Sequence, residues 1–100
     1  MKSPPYLRDI RYDSEAATIL AEAEEWFPRL DDAIALMEFA IVRDPTEGKA
    51  LTESGNVRLL TAQGAVSIGM PTLTYLYEIE RSYITVKEVR VVEAKPQRKN

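Results

Sequence analysis

Three basic residues, Arg58, Lys87 and Arg90, carry the most suggestive chemistry in the chain, because each falls within a stretch of β-type sequence. An outward-facing Arg or Lys on a strand can meet a phosphate or a partner's carboxylates, and Arg can do so through two parallel hydrogen bonds. Arg81 lies in the link between two such stretches and joins Lys87 as a candidate partner-binding residue. Lys87 and Arg90 differ by an odd number, so an unbulged strand points them to opposite faces. Arg90 then shares a face with Ile84 and Val86. Either a bulge intervenes near Glu88, or Arg90 sits at the edge of the core and snorkels out. The plainer use of these charges is solubility and cross-strand pairing with Glu78 or Glu80. Tyr75 and Tyr77, two apart and accompanied by Leu73 and Ile79, read as core aromatics with hydroxyls reaching the rim.

What is missing narrows the chemistry further. The 100 residues include no cysteine and no histidine. Disulfide scaffolds, thiolate zinc sites and thiol nucleophiles are excluded, as are Ser-His-Asp catalysis and a histidine general base. An enzyme built from this chain would rely on carboxylates, Lys, Arg, Tyr and hydroxyls. Gly48, Gly55, Gly64 and Gly69 form neither a P-loop nor a dinucleotide fingerprint. The acidic run Glu22, Glu24, Glu25 offers oxygen ligands for a hard metal, but on the outer face of a helix it reads as solvated surface. No cofactor and no metal are expected.

The charge balance divides the chain in two. Overall, 13 Lys+Arg against 16 Asp+Glu give a net charge of −3, which argues against a uniformly basic surface gripping nucleic acid. Residues 1–56 hold six basic and twelve acidic residues, a net −6, and residues 57–100 hold seven and four, a net +3. The second half is therefore modestly basic, and it is also the half with β-type periodicity.

The elements that must position these residues follow from spacing. Ala16, Ile19, Leu20, Ala23, Trp26 and Phe27 mark one face of an amphipathic helix over 14–27, with Asp13 or Ser14 as N-cap and Pro28 as terminator. A second helix is predicted from Asp31 or Asp32, as cap, to about Arg43, ended by Asp44-Pro45 and Gly48. It is apolar over more than one stripe, so it should pack on the first helix and on something else as well. The period then changes to two. Strands are expected over 57–61, 72–80 and 83–92, and 65–70 is a further candidate. The whole is an α+β domain over 1–93, a helical hairpin packed on a three- to four-stranded antiparallel sheet. Residues 94–100 read as a disordered basic tail. No apolar run has the length of a membrane span or of a signal peptide, which gives a cytoplasmic protein as the expectation.

Certain residues then fall into a familiar order. The helical hairpin is followed by Asp44-Pro45-x-x-Gly48-x-x-Leu51 and by Val57-Arg58-Leu59-Leu60. Thr74-Tyr75-Leu76-Tyr77-Glu78-Ile79 leads to a last strand ending Val89-Arg90-Val91. Over residues 14–92 this resembles the RelE/ParE superfamily of small bacterial type II toxins. The resemblance implies two helices against a curved antiparallel sheet, and a cognate antitoxin whose segment wraps the toxin. It further implies an activity directed either at messenger RNA on the ribosome or at DNA gyrase. Arg58 matches the basic residue of the first central strand and Arg90 the closing Arg, which makes them the candidate catalytic, phosphate-binding pair. Thr74 stands where the family has an Arg and Leu73 where it has a Tyr, and no Tyr or His follows Arg90. The leading expectation is a toxin-like component of a toxin–antitoxin system acting through contact with an antitoxin and DNA gyrase. The alternatives are a ribosome-dependent endoribonuclease and a non-toxic interaction domain whose sheet edge pairs with a partner strand.

Overall fold

The computed structural model describes residues 9–95. Its elements are β1 (Asp9–Tyr12), α1 (Ser14–Ala23), α2 (Leu30–Arg43), β2 (Lys49–Ala50), β3 (Val57–Ala62), β4 (Thr72–Ile79) and β5 (Tyr83–Val92). Single 3-10 turns occupy Pro45–Glu47 and Val66–Ile68. The class is α+β, as periodicity implied, but the sheet has five strands in the order β1-β5-β4-β3-β2. It is also mixed: β1 runs parallel to β5, and the other pairs are antiparallel. The expected three- to four-stranded antiparallel sheet is corrected by β1 and β2. Both are too short to show alternation, and β1 finds its partner at the far end of the chain.

Both helices cover one face of the sheet, α1 on β5 and β1, α2 on β4, β3 and β1. Each takes its tertiary contacts mainly from the sheet, so the expected packing of the second helix on the first gives way to two helices docked side by side on the strands. From α2, Leu30, Ala33, Met37 and Ile41 point inward, and the strands answer with Leu73, Tyr75, Tyr77, Ile84 and Val86. Complete burial of a large aliphatic or aromatic side chain contributes about 1.5–3 kcal/mol, so this layer carries the fold.

Several local expectations shift. α1 stops at Ala23 rather than Phe27, and the chain turns through Glu24–Trp26. Phe27 still packs against the core, but Trp26 is 75% exposed. Asp13 is the N-cap residue by position, yet its side chain makes no capping hydrogen bond. α2 begins at Leu30 after Arg29, leaving Asp31 and Asp32 in its first turn. There they face the positive end of the helix dipole, and the Arg29 Nε lies 2.5 Å from an oxygen of Asp32. The apolar run 65–70 is a tight loop instead of a strand. Ala65 bridges Met70, and Gly69 takes the left-handed conformation at φ 68°. Ala94 is buried and Lys95 exposed, while 96–100, the remainder of the expected tail, lie outside the described residues.

Candidate functional site

Arg58 sits on the helix-covered face of the sheet, because its ladder partner is the buried Tyr77. Its Nε donates to the Gly55 carbonyl at 2.8 Å, and one terminal nitrogen donates to the carbonyls of Thr46 and Gly48, each at 2.8 Å. The same turn is held from β4: the Tyr77 hydroxyl donates to the Pro45 carbonyl at 2.7 Å and accepts from the Gly48 N–H at 3.3 Å. Within the turn, Asp44 accepts from the Thr46 N–H and hydroxyl. Those bonds hold its carboxyl below the usual carboxylate range. Arg58 thus ties the turn after α2 to the loop before β3.

Arg90 lies on the other face. Of the two ways sequence parity could be reconciled, the strand takes the bulge. Tyr77 pairs with Val86 and Leu76 with Glu88, so Lys87 is the extra residue. Val89 and Val91 thereby return to the covered side, and Glu88, Arg90 and Val92 turn to the open side. Lys87 reaches Glu78 at 3.2 Å, and that carboxylate raises its pKa. This is one of the two cross-strand pairings the sequence offered. Arg81 is exposed in the turn between β4 and β5. Among the described residues neither Arg81 nor Arg90 has an ion-pair partner. The fold therefore leaves Lys87 at the bulge and Arg90 three residues further along β5, and puts Arg90 on the face opposite the Arg58 side chain.

Around Arg90 the open face is apolar at its centre. A shallow cleft of about 390 Å³ is lined by Leu51, Leu59, Thr74, Leu76, Glu88 and Arg90 together with Val89. Leu51 is 49% exposed and Leu59 38%. Leu51 closes the Asp44-Pro45-x-x-Gly48-x-x-Leu51 motif with no exposed role implied, and Leu59 does not stand out because β3 is apolar at both parities. The signal for Leu59 was the alternation of Leu59 and Thr61 against Arg58 and Leu60.

The tyrosines are structural. The Tyr12 hydroxyl donates to Glu38 at 2.5 Å and stands 2.9 Å from that of Tyr75. Since the only Tyr12 hydroxyl proton is engaged by Glu38, Tyr75 donates to Tyr12. The two rings meet edge to face at 5.8 Å. Burial pushes Tyr75 up to about 12 and raises Tyr12 further, with the Glu38 hydrogen bond adding to it. Neither supplies a tyrosinate base near neutral pH. Among the described residues no group of three or more acidic side chains gathers to hold a metal ion. No helix there is long and apolar enough to cross a membrane. The chain matches no family model and no curated protein.

Proposed function

We propose that the protein is the toxin-like component of a toxin–antitoxin pair and works in the cytoplasm by protein–protein contact through the open face of its sheet. The observation that carries this reading is the cleft in which Arg90, without an ion-pair partner among the described residues, borders Leu51, Leu59 and Leu76. Such a surface suits an amphipathic segment of an antitoxin, with apolar side chains on the leucines and a carboxylate on Arg90. Two helices against one sheet, and an Arg on the last strand, agree with the RelE/ParE resemblance. DNA gyrase is the cellular target this reading favours. Cleavage of messenger RNA by Arg58 and Arg90 is less favoured. That chemistry is best served by both guanidinium groups on one phosphate, whereas three of the five Arg58 N–H donors are spent on backbone carbonyls and its side chain lies on the face opposite Arg90.

Induced expression tests it. Growth arrest with DNA damage and intact RNA, relieved by co-expression of an adjacent antitoxin reading frame, is the expected outcome. Rapid messenger RNA fragmentation would transfer the proposal to the ribonuclease class, and unimpaired growth would end the toxin reading.

A further inference from the structure

We propose that the protein pairs with a second copy of itself through the outer edge of β1. The two strands run antiparallel, so that Asp9 of each copy meets Arg11 of the other. β1 is the terminal strand of the sheet, and among the described residues nothing pairs with its outer side. The Asp13 N–H donates to the Val86 carbonyl at 3.0 Å. Backbone groups alternate in direction along a strand, so those of Ile10 and Tyr12 turn outward, where an edge is a template for another strand.

The strand is complementary to its own reverse. A twofold contact requires that if one residue meets another, the second meets the first. With Ile10 opposite Ile10, Asp9 faces Arg11 and Arg11 faces Asp9, giving two opposite-charge pairs. In this register Ile10 exchanges both of its outward backbone bonds with its copy. The charged residues fall in the closer, non-hydrogen-bonded positions, where side chains interact most strongly. Arg11 is already held on the sheet surface, its guanidinium 4.0 Å from the centre of the Tyr83 ring.

The second apolar stripe of α2 supplies the rest of the contact. Leu36 and Phe39 are 55% and 64% exposed. Phe39, Ala35 and Val42 border a groove of about 460 Å³ whose other wall is Asp9 and Ile10. A twofold axis normal to the sheet keeps both α2 helices on the same side of the joined sheets. It sets the groove of each copy, which Phe39 and Glu38 also line, beside the joined β1 strands. This surface is separate from the open-face cleft, so the pairing stands or falls independently of the toxin reading.

The test is sedimentation equilibrium on the full chain over a range of concentrations, with circular dichroism to confirm folding. A concentration-dependent dimer is expected. Arg11→Asp sets like charges opposite each other and should weaken it by about tenfold or more. The exchange Asp9→Arg with Arg11→Asp recreates the pairs and should restore it. Phe39→Asp, at a position exposed in the single copy, should weaken it without touching the strand. It serves as the test if Arg11→Asp fails to fold. A protein that stays monomeric up to about 1 mM, a folded exchange variant that does not recover, or a dimer indifferent to Phe39→Asp would overturn the proposal.

Discussion

Arg58 and Tyr77 stand opposite each other across the β3–β4 ladder and hold one turn between them. The guanidinium takes the carbonyls of Thr46 and Gly48, and the hydroxyl takes that of Pro45. A side chain that sequence alone offers to a phosphate thereby spends its Nε and one terminal nitrogen on the backbone of its own fold. Removing it strips three charged-donor hydrogen bonds, two part-buried and one exposed, so each contributes less than a fully buried one, and leaves the carbonyls to water. Arg58→Ala should therefore lower stability by about 2–4 kcal/mol, measured as a shift in the urea midpoint. Arg58→Lys should recover little, because one ammonium cannot reproduce a planar fork reaching Gly55 and Thr46 together. An unchanged midpoint for the alanine variant would refute the clamp.

Gly48 lies where these two anchors converge. A Cβ there would stand 2.6 Å from the Tyr77 hydroxyl oxygen and 2.9 Å from the Leu59 carbonyl oxygen. The backbone φ of −68° is ordinary, so space rather than conformation selects glycine. Gly48→Ala should cost about 1–3 kcal/mol through overpacking. Tyr77→Phe deletes one of the two colliding atoms, so the double variant should be less unstable than the sum of the singles. Strict additivity would show that the methyl group is accommodated elsewhere.

The sequence reveals the structure where one physical signal dominates. The limits of β5 and the C-terminal end of α2 follow from period and from Asp44-Pro45. The bulge at Lys87 was visible as a parity conflict, because an Arg cannot share an aliphatic face without either a bulge or a detour. β1 was invisible for the opposite reason: Asp9 and Arg11 face outward, Ile10 and Tyr12 inward, and four residues are too few for alternation to stand out. Its pairing with residues 83–86 is wholly non-local. Parity gives Arg58 no face, because Val57 and Leu59 on one parity match Leu60 and Ala62 on the other. Only the register with Tyr77 decides between them.

Arg90 makes the contrasting prediction. It is exposed on the open face, and its neighbours across the cleft are Leu51, Leu59 and Leu76. Arg90→Glu should leave thermal or urea stability within about 0.5 kcal/mol of the parent, as surface changes usually do. The same variant should abolish the growth effect of induced expression and the capture of a co-expressed antitoxin. Lys87→Ala should do less, since its ammonium is already taken by Glu78. If Arg90→Glu kept full toxicity while Arg81→Glu lost it, the contact would centre on the β4–β5 turn instead.

The buried hydroxyl pair gives the protein a distinctive alkaline limit. An ordinary tyrosine ionises near pH 10, but burial pushes Tyr75 up to about 12. The folded chain therefore holds a proton that the unfolded chain releases between those two values. Stability from this group is complete below about pH 10 and declines as pH rises toward 12. Ultraviolet titration of tyrosinate should show a late step that Tyr75→Phe removes, and the parent's urea midpoint should fall over the same interval. At pH 7 the Phe variant should be weaker by about 1 kcal/mol, since Tyr12 loses the hydrogen bond it accepts. A single titration step near pH 10 with the fold intact would mean that water reaches the Tyr75 hydroxyl.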